Sequence, residues 1–139
     1  MPVTPNSIVT PQAPKSAAVM VSTAQATFPP TLAPGNTALL LTVGANGGRL
    51  TRLLAFPQET TGGAGVMQAY RDVGTAGASK FFFAAVACAS DTVSATDPPV
   101  SLDFGFSDDN PLILQANERL YVATGIAKNI CFVAEWADY

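Results

Sequence analysis

The most informative absence from this sequence is histidine, which does not occur once in 139 residues. Histidine is the commonest general base of enzymes and a usual ligand of zinc and iron. Its absence excludes Ser–His and Cys–His nucleophile pairs and most zinc or iron sites. We therefore predict no catalytic residue, no cofactor and no metal, and expect that the chain is not an enzyme.

Charged residues are also scarce, since only 12% of the chain is Asp, Glu, Lys or Arg. Seven basic residues against ten acidic ones give a net charge of −3. A nucleic-acid groove needs clustered Lys and Arg to neutralise phosphates, so the sequence predicts no nucleic-acid partner. Low charge together with 11 glycines and 11 prolines favours many turns and surfaces covered by neighbouring molecules.

Long hydrophobic runs are absent as well, because the longest uninterrupted one, Phe81–Ala89, is too short to cross a bilayer as a helix. The start of the chain, MPVTPNS, has neither the basic nor the apolar region of a signal peptide. We expect no membrane partner and synthesis in the cytoplasm. The two cysteines, Cys88 and Cys131, are interpreted as buried free thiols, with a cross-strand disulfide as the alternative.

Proline is concentrated at the start of the chain, in residues 1–16 (MPVTPNSIVTPQAPKS). Proline fixes φ and removes a backbone donor, so this segment is predicted to be an extended arm. The arm is either a tail without a role or a tether onto a neighbouring subunit. As a tether, its candidate contact residues are Pro2, Pro5, Ile8, Pro11 and Pro14. Deleting residues 1–16 should then weaken attachment and leave the folded domain intact.

Residues 17–139 are predicted to form one all-β domain. Apolar runs recur along this stretch with Gly, Pro, Asn and Asp turns between them and without a helical period. About eight antiparallel strands in a domain of this size fit a jelly-roll β-sandwich best. The predicted strands are Ala18–Phe28, Thr37–Val43, Arg49–Phe56, Gly65–Arg71, Lys80–Cys88, Val100–Phe106, Leu120–Ile126 and Ile130–Trp136, with Leu112–Leu114 as a candidate ninth.

The last two runs are separated only by the short polar break Ala127–Asn129, and we predict that they form a β-hairpin. Both faces of the final strand are largely apolar, and so are both faces of Lys80–Cys88. Such strands either contact another subunit through their outer face or are central strands beneath long loops. The two faces of the final strand are Ile130, Phe132, Ala134 and Trp136 on one side and Cys131, Val133, Glu135 and Ala137 on the other.

Few single residues carry a functional signal. Arg49 and Arg52 are the only basic residues close together, and their odd spacing predicts that they lie on opposite faces of a strand. On its face Arg52 has apolar neighbours, so it needs a carboxylate or carbonyl partner in this chain or another. Trp136 is either a core residue or a contact residue, and Tyr139 is a further candidate contact residue.

Asp108 and Asp109 are the remaining candidates for chemistry. Carboxylates in a turn such as Ser107–Pro111 (SDDNP) most often accept hydrogen bonds from the local backbone. Weak calcium binding and glycosidase-type acid–base chemistry are the alternatives.

Two stretches resemble a known family, ALLLTVGANGGRLTRLLAFP (Ala38–Pro57) and SDDNPLILQANERLYVATG (Ser107–Gly125). The order of a strand, a GANG turn, an R-L-T-R strand, then D-x-N-P-L-x-L and E-R-L-Y-V is similar to capsid-cementing (decoration) proteins of short-tailed bacteriophages, of the Bordetella phage type. The likeness covers roughly residues 20–139.

The resemblance implies a jelly-roll virion protein that binds the outside of an icosahedral capsid. Its partner would be the major capsid protein, whose neighbouring subunits it would hold together. It would be made in the host bacterial cytoplasm and form a homo-oligomer, with a dimer favoured over a trimer. The alternative is a carbohydrate- or receptor-binding jelly-roll module of a phage fibre or tail.

Overall fold

The computed structural model describes residues 13–25, 34–74 and 79–139, which contain β-strands and no helix. Within these residues there is accordingly no helix long and apolar enough to span a membrane. The predictions of an all-β fold and of a ninth strand at Leu112–Leu114 are confirmed. The strands are β1 (Ala13–Val21), β2 (Ala38–Thr42), β3 (Gly48–Pro57), β4 (Gly65–Asp72), β5 (Phe81–Cys88), β6 (Leu102–Asp103), β7 (Leu112–Leu114), β8 (Arg119–Thr124) and β9 (Ile130–Asp138).

The strands form two antiparallel sheets. Sheet A has the order β1-β9-β3-β6, with β7 also paired to β3, and sheet B has the order β2-β8-β4-β5. Pairing therefore joins β1 to β9, β2 to β8, β3 to β6 and β4 to β5, as in a long ribbon folded back on itself and wrapped across two sheets. This is the jelly-roll arrangement, and the predicted fold class is confirmed.

The last two strands do not form the predicted hairpin. β8 pairs with β2 and β4 in sheet B, whereas β9 pairs with β1 and β3 in sheet A. Residues 125–129 cross from one sheet to the other. The hydroxyl of Thr124 supports this crossing because it donates to the Ile126 carbonyl at 3.0 Å and accepts from the Ile126 amide at 3.2 Å. Crossing allows each strand to bury its apolar face against the opposite sheet.

The hydrophobic core lies between the inner faces of the two sheets. The predicted division of β9 is confirmed, because Ile130, Phe132 and Ala134 are fully buried in this core. Burying a large apolar side chain such as Ile130 or Phe132 contributes about 1.5–3 kcal/mol to the stability of the fold. The core consists of Val21, Leu40, Leu41, Val43, Leu50, Leu53, Ala55, Met67, Ala69, Cys88, Leu102, Leu114, Leu120, Val122, Ile130, Phe132, Ala134 and Trp136.

The first strand begins earlier than the sequence predicts. Residues 13–16, which the proline content assigns to the arm, belong to β1 and pair with β9, with Pro14 opposite Ala137. Proline is tolerated there because β1 is a terminal strand and needs no donor on its outer side. The arm residues Pro2, Pro5, Ile8 and Pro11 lie outside the described residues, and so do residues 26–28 of the predicted first strand.

The predicted strand Val100–Phe106 is reduced to β6, the two residues Leu102–Asp103. The pairing ends because Gly105 has a φ of 90°, a conformation outside the strand region. The Asp103 carboxylate accepts a hydrogen bond from the Gly105 amide at 2.8 Å and closes this turn. The alternation of apolar and polar residues in the sequence therefore extends beyond the residues that pair in the sheet.

Candidate functional surfaces

A β-bulge in β3 brings Arg49 and Arg52 to the same face of sheet A. Arg49 lies opposite Ala137 and Arg52 opposite Glu135, because the register shifts by one residue between them. Ala137 and Glu135 are two residues apart in β9 and share its outer face, so both arginines lie on that face. The prediction of opposite faces is wrong because Thr51 is an extra residue in the strand.

Arg49 lines a groove of about 550 Å³ on the outer face of sheet A. Its Nη2 atom is 3.4 Å from the Asp108 carboxylate, and beside the groove Arg52 Nη1 is 3.8 Å from the Glu135 carboxylate. Both pairs are open to solvent, so each contributes about 0–1 kcal/mol to stability. The groove is lined by Pro14, Lys15, Ser16, Arg49, Thr51, Asp108, Glu135, Trp136 and Ala137.

Two further candidate contact residues, Pro14 and Trp136, lie at this groove, while Tyr139 is held elsewhere. Pro14 is exposed on β1. Trp136 is only 8% exposed and belongs to the core, with its indole Nε1 donating to Asp138 at 3.2 Å. The Tyr139 backbone amide donates to the Gly47 carbonyl at 3.1 Å, which ties Tyr139 to the GANG turn that follows β2. The groove therefore unites Pro14, Arg49 and Trp136, with Arg52 beside it.

Asp138 ties the start of β1 to the rest of sheet A. Its carboxylate accepts hydrogen bonds from Lys15 Nζ, from the Gly44 amide at 3.2 Å and from the Trp136 indole. Burial alone would raise the pKa of Asp138, but these donors and the Lys15 charge outweigh burial and hold the pKa below its usual value. The outer side of β1 thus carries a proline and an anchored lysine, two residues that discourage pairing with another strand.

The opposite edge of the sandwich has a different character. β5 is the terminal strand of sheet B, and its residues Phe81–Cys88 (FFFAAVAC) include no charge and no proline. Phe81 is 47% and Phe82 40% exposed. The preceding charged residue, Lys80, is directed over the outer face of sheet B. Its Nζ lies 4.6 Å from the centroid of the Tyr121 ring and 2.7 Å from the Thr37 hydroxyl.

Phe106, which follows β6, extends this apolar surface. Its ring centroid lies 6.1 Å from that of Phe83 of β5. Ile113 of β7 is also exposed, at 57%, but it lies opposite Arg49 in the β3–β7 register and therefore on the outer face of sheet A. Arg71 connects the two sheets here, because it lies opposite Phe81 in the β4–β5 register and donates to the Ile113 carbonyl at 3.2 Å. We call the surface formed by Phe81, Phe82, Phe83 and Phe106 the apolar edge.

A buried carboxylate holds the apolar edge in place. Glu118 is completely buried, and its Oε2 atom is 3.0 Å from Arg71 Nη2 and 2.7 Å from the Gln115 amide. Glu118 Oε1 also accepts from Arg71 Nε. A two-pronged arginine–carboxylate pair of this kind fixes orientation as well as distance. The turn after β7 and the end of β4 are therefore joined through charged atoms.

The described residues include no group of three or more Asp, Glu or Cys side chains that could hold a metal ion. Asp108 faces Arg49, and Asp109 is exposed. The turn that contains them is closed by backbone hydrogen bonds between Ser107 and Asn110 at 3.2 and 3.3 Å.

Both cysteines are free thiols, as predicted, and Cys88 is buried whereas Cys131 is half-buried. Burial, and next the negative charge of Asp91, raise the pKa of the Cys88 thiol. This thiol is therefore a poorer nucleophile than an ordinary cysteine.

The apolar edge contains residues that the sequence did not single out individually. The available signal was the uncharged run that became β5, apolar on both faces, which correctly indicated an unusual strand. The exposure of Ile113 beside Arg49 gave no signal either, because the three residues of β7 are too few to reveal a period.

No family model matches the chain, and no curated protein sequence matches it significantly. Among solved structures, the chain is similar to one titled "Structure of Eiger TNF from S. frugiperda". The two are 14% identical, the match covers 94% of this chain and 96% of the other, and the TM-score is 0.48. A likeness of this degree carries no conclusion about function.

Proposed function

We propose that this chain is a structural protein of a bacteriophage virion that associates with copies of itself and binds the outside of an icosahedral capsid. There it cements neighbouring subunits of the major capsid protein. The observation that carries the proposal is the apolar edge, where an uncharged terminal strand exposes Phe81 and Phe82. The sequence resemblance supplies the capsid as the partner.

An exposed apolar edge supports an assembly role on energetic grounds. Removing apolar surface from water contributes about 25 cal/mol per Å², and a protein that never associated would gain nothing from exposing it. A capsid offers many equivalent sites, so contacts that are weak singly become effective when copies linked to one another bind together.

The groove side of sheet A supports the same role as a second surface. A cement needs one contact with its own copies and another with the shell, and the apolar edge and the groove are formed by different strands. Arg49 and Arg52 give the groove side donors for carboxylates or carbonyls of a capsid subunit. Pro14 places the start of β1 at the same surface.

The test is co-sedimentation of the full chain with virus particles from its source, with copy number measured by gel densitometry. Hundreds of copies per particle are expected, and Phe81→Ser should reduce that number. Leu39→Ser is the matched control, because Leu39 is also exposed, at 47%, but lies on β2. Absence of the wild-type protein from particles would overturn the proposal.

Carbohydrate binding at the groove is a second candidate. Its volume of about 550 Å³ is that of a small-ligand site. Arg49, Glu135 and Asp108 could hydrogen-bond sugar hydroxyls while Pro14 and Ala137 supply apolar contact. Binding on a glycan array that is lost in Glu135→Gln and kept in Glu59→Gln would support this function. A few copies per particle would agree with it, as expected for a fibre or tail protein.

A further inference from the structure

We propose that β5 pairs with β5 of a second copy, antiparallel and across a two-fold axis at Ala85. Two four-stranded sheets B would then join into one continuous sheet of eight strands. The inference rests on the proposed function only for the idea of self-association. It adds the strand that pairs, its register and the symmetry, and the experiments below separate these from capsid binding.

β5 is the terminal strand best suited to pairing in the described part of the chain. β6 has two residues and β7 three, and β2 has five with a register shift inside it. β1 carries Pro14 and Lys15. β5 has eight residues and no proline or charge, and Lys80 beside it is directed onto Tyr121. Long uncharged terminal strands are the ones that pair with another chain.

The two faces of β5 follow from its pairing with β4. Ala84 lies opposite Ala69 and Val86 opposite Met67, so Ala84 and Val86 face the core. Ala85 and Ala87 alternate with them and are exposed on the outer face, which they share with Phe82 opposite Tyr70. Phe83 is the extra residue at the register shift and packs inward against Phe106.

A two-fold axis at Ala85 places like faces together and large residues opposite small ones. With Phe83 kept as the extra residue, Phe82 of one copy lies opposite Ala87 of the other on the outer face. Phe81 likewise lies opposite Cys88 on the inner face, and Ala84 opposite Val86. The two Ala85 residues meet at the axis, where their small side chains allow close approach. Each aromatic side chain therefore packs against a small side chain of the other copy, and the two-fold axis repeats every such contact. The interface is self-complementary and contains no like charges that would repel each other.

The register can be tested by cross-linking, with Cys131→Ser as the background. Ala85→Cys should yield a disulfide-linked dimer under mild oxidation, because directly opposite residues in antiparallel strands have Cα atoms about 5 Å apart. Ala87→Cys is the matched control, since its two copies would lie about 13 Å apart along the strands. Both positions are exposed alanines of the same face, and the background alone reports any cross-link through Cys88.

Equal cross-linking of the two variants, or of neither, would overturn the pairing at Ala85. Loss of self-association on removal of residues 1–12, in a protein that does not cross-link at Ala85, would assign β5 to the arm of a neighbour instead. A trimer in sedimentation equilibrium would exclude the two-fold arrangement.

A charge at the axis gives an independent test by sedimentation velocity of the full chain. Ala85→Lys puts two like charges opposite each other and should weaken the dimer at least tenfold, whereas Leu39→Lys on β2 should leave it unchanged. Equal effects of both substitutions would overturn the proposal. A wild-type protein that is monomeric yet binds particles would disprove the pairing of β5 and leave the cementing role intact. A protein that dimerises through Ala85 but does not bind particles would support the pairing and disprove the cementing role.

Discussion

The two edges of the sandwich differ in how well their terminal strands are protected against pairing with another chain. At one edge β1 carries Pro14 and Lys15, and Asp138 holds that lysine against the sheet. At the other edge β5 exposes Phe81 and Phe82 without a charge along the strand. Each edge is nevertheless anchored by one carboxylate, Asp138 at the first and the fully buried Glu118 at the second.

Under the proposed pairing of β5, the edge at β1 stays in contact with solvent and the edge at β5 is covered by a second copy. Protecting an edge with proline and lysine prevents pairing with other chains, and leaving one unprotected invites it. A protein that needed only to remain monomeric would protect both. The difference between the two edges is therefore the feature of this fold on which the proposal of self-association depends.

The largest effect should come from the anchor of the apolar edge. Glu118→Gln leaves the guanidinium of Arg71 without its charged partner and should lower the free energy of unfolding by about 3 kcal/mol, measured by urea titration. Glu59→Gln is the control, because the pair of Glu59 with Lys128 is solvent-exposed at 3.9 Å and should change stability by less than about 0.5 kcal/mol. Similar losses in both variants would show that the two pairs are equivalent.

A smaller effect should follow from shortening β1. Deleting residues 1–16 removes four residues paired with β9, including Lys15, so we expect a loss of about 2 kcal/mol from the lost hydrogen bonds. The sequence alone predicts an intact domain after this deletion. Deleting residues 1–12 leaves β1 whole and serves as the comparison. Equal melting temperatures for the two truncations would show that residues 13–16 do not stabilise the sheet.

The hydrogen bonds that the Asp138 carboxylate accepts should contribute about 1 kcal/mol to the free energy of unfolding, and only at a pH where this carboxylate is ionised. The folded pKa of Asp138 is lowered, so its stabilisation is complete above the unfolded value near 3.9 and is lost as pH falls through the folded pKa. Asp138→Asn should therefore be less stable than wild type at pH 7 and approach it in strong acid. A constant gap between the two across this range would contradict the assignment.

The smallest change in stability, less than about 0.5 kcal/mol, is expected from replacing Pro14, the proline that prevents β1 from pairing with another strand. Pro14→Val restores a backbone donor on the outer side of β1 and should make that edge more prone to pairing. Light scattering should then show slow association of this variant even when Ala85→Lys is also present. If the double variant stays monomeric, proline is not what protects the first edge.

The sequence predicted the fold better than the connections within it. Strand positions followed from apolar runs and turn residues, because these are local properties. The short break Ala127–Asn129 fits a hairpin and a crossing equally well, since nothing local tells whether β8 and β9 share a sheet. The faces of Arg49 and Arg52 were missed for a related reason, because a single bulged residue, Thr51, reverses every alternation beyond it.

The candidate surfaces, too, could be predicted from the sequence only as far as they depend on local residues. The run Phe81–Cys88 was recognisable as unusual from its composition alone. Its position at the end of sheet B, and the side chain of Lys80 directed away over Tyr121, depend on strands distant in sequence. The contact between Phe83 and Phe106 within the apolar edge likewise joins residues distant in sequence.

The pairing of β1 with β9 also governs how this protein is made. Ala13 lies opposite Asp138, so sheet A cannot close until the last strand has been synthesised. Folds dominated by contacts between residues so far apart in sequence form slowly, in milliseconds to seconds. During that interval the aromatic segment of β5 has already been synthesised and can meet other nascent chains. Slower translation at lower temperature should therefore raise the soluble yield, whereas rapid overexpression should favour aggregates nucleated at β5.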